Sequence, residues 1–205
     1  MNYTNNLLYH DIIESLAAAL DAKDIYTAGH STRVADTSYT LGSLLGLKYT
    51  DLELVHMAAH LHDIGKIGVP DYVLHKKGKL TDDEWLLMKE HPKIGYNILS
   101  KTDSLKCIAK IILHHHEKFN GTGYPNKLKG NEIPFNSRII TVCDSIDAML
   151  SNRPYRSALS YNYCKEEIIK NSGIIYDPNI VDCLIENWDN IIVSYYETCC
   201  KQAFL

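Results

Sequence analysis

The chain has 205 residues, 45% of them apolar and 22% charged, with 21 Lys and Arg against 25 Asp and Glu for a net charge of −4. That length holds one domain with a buried core, and the mild acidity argues against a duplex-coating nucleic-acid binder, which carries a basic stripe. No apolar run approaches the roughly 20 residues of a membrane-spanning helix. The start, MNYTNNLLYHD, has neither the basic residues nor the apolar stretch of a signal peptide, so a cytoplasmic protein is expected.

Taken in order, the chain reads as helices. Residues 7–22 and 30–46 carry apolar side chains at helical spacing, the second with Gly46 as a stop. In 50–65, Thr50 followed by Glu53 has the form of a capping box, and Thr81 with Glu84 repeats it before WLLMKEH. Pro92 suits the first turn of a further helix through Leu99. Residues 104–116 follow as a helix ending in His114-His115-His116. The stretch 118–135 (KFNGTGYPNKLKGNEIPF), with three glycines and two prolines, reads as a long loop of the kind that carries function. Helices resume over 136–150, 160–171 and 178–196. Without strand-period segments, the expected fold is all-α, a single helical domain over 1–190. Residues 191–205 would be a tail that packs back on the domain, forms a dimer contact or is disordered.

The six cysteines form no CxxC pair and read as thiols in a reducing compartment. The ten histidines are more informative, since most fall between residues 30 and 116. His62-Asp63 offers a nitrogen and a carboxylate on one turn, and a carboxylate can bridge two cations. His30, His91, His115, His116 and Asp144 are further donors near helix ends or on helix faces, the arrangement by which bundles build dinuclear sites.

HDIGKIGVPD, HPKIG, HHEKFNGTGYP, the Asp144 segment and NRPYR, in this order, resemble the HD-GYP family of cyclic dinucleotide phosphodiesterases, a subgroup of the HD metal-dependent phosphohydrolases. The resemblance covers about 21–178. It implies an HD-type bundle with an extended GYP loop and metal ligation by His30, His62, Asp63, His91, His115, His116 and Asp144. Asp63 would bridge two metals, and Lys66 would face the phosphate. Arg153 and Arg156 would hold substrate phosphates, and Tyr124 would either stack on a guanine or pack the loop. Mixed His and carboxylate donors suit Fe or Mn and also admit Zn or Ni, and the resemblance implies two divalent ions, Fe or Mn. The implied reaction is hydrolysis of cyclic di-GMP to pGpG, with or without a further step to GMP, through attack of a metal-bridging hydroxide.

Two departures stand out. Some members carry Glu four residues before the first ligand histidine, giving a third metal; here that residue is Tyr26, so two metals are expected. Lys118 and Asn120 replace the usual Arg and Asp of the loop, which bears on substrate preference and partner binding. A preference for 3′3′-cyclic GMP-AMP is therefore an alternative, as is a non-catalytic module that senses a cyclic dinucleotide or docks a protein through the 118–135 loop. A homodimer is a further expectation.

Other residues have plainer readings. His56, His60 and His114 read as packing or solvent-facing bystanders, and His10 and His75 as surface residues. Arg33 would either reach the site or make a surface ion pair. Asp147 and Glu117 would orient a ligand or anchor the loop.

Overall fold

The computed structural model describes residues 3–24, 29–152 and 156–202. Eleven α-helices run through them, joined by short 3-10 turns, and no strand forms among the described residues. Helix α1 (Tyr3–Lys23) turns Ile13, Ala17 and Leu20 inward at i, i+4 and i+7. It lies against α3 (Tyr49–Leu61), which also packs on α2 (His30–Leu44). Gly29 caps the start of α2, and its φ of 71° is left-handed and suits glycine.

Helix α3 is capped two residues before the sequence suggests. Lys48, extended, is the N-cap, Thr50 lies inside the first turn, and no side-chain cap forms. The chain then tightens into a 3-10 turn over Ile64–Gly68. A Cβ on Gly65 would lie 1.8 Å from His91 O and 2.6 Å from Gly95 N. Glycine at position 65 is what lets this turn press against α6 (His91–Leu99). Between them lie α4 (Asp71–Leu74) and α5 (Asp82–Met88), and α5 has the Thr81–Glu84 capping box expected.

Helix α7 (Lys106–Leu113) ends three residues before His116, so the histidine run lies on a turn beyond the helix rather than on it. Among the described residues the 118–135 loop holds only a 3-10 turn at Gly130–Glu132. Phe119 N and Asn120 N donate to Ile175 O and Ile174 O, which ties the loop to the segment before α10. Helix α8 (Phe135–Leu150) runs through the middle of the molecule, with Ile139, Val142, Cys143, Ile146 and Leu150 buried at helical spacing. Each such buried Ile or Leu contributes about 1.5–3 kcal/mol. Thr141 Oγ1 lies 2.7 Å from His115 O, linking α8 to the histidine turn.

Helix α9 (Tyr161–Lys170) packs on α8. The last expected helix is two: α10 (Pro178–Glu186) and α11 (Trp188–Gln202), broken at Asn187. Helix α11 packs against α2 and buries Ile191, Ile192 and Tyr195.

Candidate metal centre

The start of α2, the end of α3, the start of α6, the turn after α7 and the middle of α8 converge on one buried cluster. His30, His62, Asp63, His91 and His115 are each 5% exposed or less. Asp63 sits at the centre with its two oxygens facing different ways. Oδ2 lies 3.4 Å from His62 Nε2 and 3.7 Å from His30 Nε2, and His30 Nε2 is 3.4 Å from Asp144 Oδ1. Oδ1 lies 3.3 Å from His91 Nε2, which belongs with His115 and His116. His30, His62 and Asp144 form one group that could hold an ion, and His91, His115 and His116 form another.

The chain fixes the tautomers. His62, His91 and His115 each place Nδ1 against a backbone oxygen three residues back: Ala59 O at 2.6 Å, Met88 O at 2.8 Å and Ile112 O at 2.5 Å. His30 Nδ1 is 2.6 Å from Asp147 Oδ2. Carbonyls and carboxylates only accept, so each Nδ1 carries a proton and each Nε2 faces the centre.

Electrostatics sharpen the picture. Burial alone would raise the Asp63 carboxyl, but Lys66 and His62 outweigh it and hold Asp63 well below the usual carboxylate range. Burial would lower His62, yet Asp63 and Asp144 carry it up to about 9. Burial lowers His91, and burial with the neighbouring histidines takes His115 and His116 well below the ordinary value. These shifts favour the neutral rings of His91 and His115. Their Nε2 atoms nonetheless face each other at 3.3 Å, two lone pairs with no proton between them. Two imidazoles bound to one ion at about 2.1 Å would have their nitrogens about 3 Å apart. The donor set fits divalent transition ions.

Residues 14–180 match the HD domain family. This chain belongs to the HD domain family. Its relatives agree with the HD-GYP motifs. It is 36% identical to the 3'3'-cGAMP-specific phosphodiesterase 2 of Vibrio cholerae, over 89% of this chain and 35% of that protein. It is 40% identical to the cyclic di-GMP phosphodiesterase response regulator RpfG of Xanthomonas campestris, over 85% of this chain and 47% of the other. This HD domain thus spans less than half the length of these relatives. Its fold resembles that of a cyclic GMP-AMP specific phosphodiesterase of V. cholerae at a TM-score of 0.69 and 20% identity, covering 87% of this chain and 48% of that one.

The remaining expected residues of this HD domain divide by position. Lys66 Nζ is in the cluster, 2.8 Å from Asp63 Oδ2 and 3.4 Å from Asp24 Oδ2. Tyr124 lays its ring on His116, with centroids 4.9 Å apart, so the loop reaches the second histidine group. Arg156 lies elsewhere: its Nη2 donates to Ala148 O at 2.6 Å, at the C-terminal end of α8. Arg153 and Tyr26 lie outside the described residues. His114 keeps out of the cluster, its Nδ1 2.8 Å from Lys110 O, and His75 Nε2 is 2.8 Å from Lys23 O.

Residues with open readings also find places. Arg33 Nε donates to Asp147 Oδ1 at 2.5 Å, so it steadies the carboxylate that holds His30. Tyr195 OH donates to the same Oδ1 at 2.9 Å. Glu117 Oε1 accepts from Asn126 N at 2.7 Å and anchors the loop. Gly123 lies so close to that strand of chain that a Cβ would be 2.2 Å from Lys118 N. Asp24, 4% exposed beside Lys66, escaped the sequence reading because nothing in DAKDIY separates it from Asp21.

Proposed function

We propose that this HD domain is a phosphodiesterase that uses two divalent ions, Fe or Mn, to hydrolyse cyclic di-GMP to pGpG. The observation that carries the reading is Asp63, whose two oxygens face two separate groups of histidines. His30, His62 and Asp144 would hold one ion, His91, His115 and His116 the other, with Asp63 between them. Two ions so held supply a nucleophile from water at neutral pH and neutralise the phosphoryl oxygens.

The chain's own residues do the rest. Lys66 brings an ammonium group to the edge of the cluster, 2.8 Å from the Asp63 carboxylate that would join the two ions, where an anionic phosphodiester would lie. Water adds to one phosphorus, the bond to the ribose 3′-oxygen breaks, and that oxygen takes up a proton. The family resemblance assigns Arg153 and Arg156 to the phosphates; Arg156 would exchange Ala148 O for a phosphate to do so. The named activities of the Vibrio and Xanthomonas relatives support the reaction class. Six free thiols suit a reducing, cytoplasmic setting.

A second reading is preference for the hybrid cyclic GMP-AMP, the substrate in the name of the Vibrio relative, and the loop residues Asn120 and Tyr124 would decide it. Asn120 turns its Oδ1 back onto Thr122 N and Oγ1, at 3.0 and 2.7 Å, and Tyr124 gives one ring face to His116. The test incubates anaerobically purified, iron- or manganese-loaded protein with each dinucleotide, and separates products by ion-exchange chromatography beside Asp63→Ala. Formation of pGpG, absent in the variant, is expected. Faster cleavage of the hybrid selects the second reading. Both substrates intact on metal-loaded protein would overturn catalysis and leave a binding module.

A further inference from the structure

A second histidine cluster lies across α3 from the central one. His60 and His62 are two residues apart, about 200° around a helix of 3.6 residues per turn. While His62 faces Asp63, His60 meets His56, one turn earlier, and His10 of α1. Ring centroids are 4.7 Å apart for His56–His60, 5.3 Å for His10–His56 and 5.9 Å for His10–His60. Each of the three offers a ring nitrogen within 4.8 Å of the others.

The surroundings point to a ligand. His60 is 1% exposed, and neither of its ring nitrogens has a hydrogen-bond partner among the described residues. A buried imidazole left so is exceptional, because buried polar groups are almost always paired. The two half-buried histidines each have a carboxylate alongside. His56 Nε2 is 3.3 Å from Asp36 Oδ1, and His10 Nδ1 is 3.4 Å from Glu14 Oε1. Histidine ligands characteristically lean on a carboxylate in this way. Thr198 Oγ1 donates to the other Asp36 oxygen at 2.9 Å and holds that carboxylate in place. A cavity of about 380 Å³ opens beside the cluster, lined by His10, Asp36, Tyr39, Glu53, His56 and Glu197 among others, so a cation can enter past three carboxylates.

The geometry points to a separate cation site at His10, His56 and His60, taking one Zn²⁺ and tying α1 to α3. Three imidazoles with an open fourth position for water are a donor set zinc accepts. None of these residues belongs to the central cluster.

The test strips the full chain with chelator and dialyses it against Zn²⁺. Ions per chain are then counted by elemental mass spectrometry in wild type, His10→Ala, His56→Ala and Asp63→Ala, with circular dichroism to check helix content. Both histidine variants are expected to hold one ion fewer than wild type. That difference does not depend on how many ions the central cluster takes, so the two proposals fail separately. Asp63→Ala is expected to keep the ion that His56→Ala loses. As a second measurement, Zn²⁺ should slow amide exchange in α1 of wild type and not of His10→Ala. Equal ion counts in wild type and the histidine variants would overturn the site, as would zinc protection of α1 that His10→Ala leaves intact.

Discussion

His30 Nδ1, on the first residue of α2, lies 2.6 Å from Asp147 Oδ2 on α8. The same carboxylate takes Arg33 Nε and Tyr195 OH, so one buried group gathers α2, α8 and α11 behind one candidate ligand. Burial would raise the Asp147 carboxyl, and His30 and Arg33 reverse this and hold it below the ordinary carboxylate value. In Asp147→Asn the amide fills the same space but cannot balance Arg33. Metal affinity is expected to fall about 10–100-fold, and breaking a buried ion pair costs about 3–5 kcal/mol. Metal titration and chemical denaturation read the two effects; unchanged affinity would remove Asp147 from the account.

Gly65 and Gly68 stand in the same 3-10 turn and answer differently to alanine. At Gly65 the new Cβ would meet backbone, His91 O at 1.8 Å, and no rotamer relieves it. At Gly68 it would meet only the Ile94 side chain, at 3.0 Å, which can shift. Gly65→Ala is expected to destabilise by on the order of 3 kcal/mol or more and to displace His91 from the cluster. Gly68→Ala should cost less than about 1.5 kcal/mol. Denaturant midpoints of the two variants make the comparison, and equal midpoints would contradict the close approach.

Glu117 is 1% exposed and spends Oε1 on the backbone N–H of Asn126. Glu117→Ala removes the acceptor of that amide, a loss of about 0.5–1.5 kcal/mol because Asn126 is exposed and water can take its place. Because the bond closes the GYP loop, the variant should be cut by protease within 118–135 faster than wild type. Equal cutting rates would mean that Glu117 does not hold the loop.

Thiol chemistry reports on the packing around α8. Burial pushes Cys143 and Cys164 up to about 12, so near pH 8 both stay protonated and unreactive. Cys107 and Cys200 are exposed. A thiol reagent added to folded protein should label Cys107 and Cys200 first and reach Cys143 and Cys164 only on unfolding, or slowly as pH rises toward 12. Peptide mapping reads the order, and early labelling of Cys143 would contradict a closed α2–α8 contact.

Much of this arrangement was legible in the chain itself. Apolar spacing marked α1 and α2, Thr81 with Glu84 marked the start of α5, and Pro92 marked the first turn of α6. The seven expected ligands meet in one cluster because short motifs fixed their register within each helix end. What spacing could not reveal was the third dimension. Thr50 has the right neighbour three residues on, yet the helix starts at Tyr49, where the chain leaves Lys48 extended. The break at Asn187 is hidden because apolar spacing runs on through both flanks. His10 lies 46 residues from His56, and only the packing of α1 on α3 brings them into contact. The one signal for that second cluster was the surplus of histidine over what the HD motifs used.

In the proposed mechanism Asp63 joins two ion sites that act together on a phosphodiester. Manganese titration of chelator-stripped protein tests it most directly, with pGpG formation from cyclic di-GMP measured against ions bound. The titration is run on His56→Ala, so that no ion at the α1–α3 cluster enters the count. Hydrolysis is expected to follow the second ion per chain and to vanish in Asp63→Ala. Full hydrolysis with one ion per chain, or none at any loading, would contradict it.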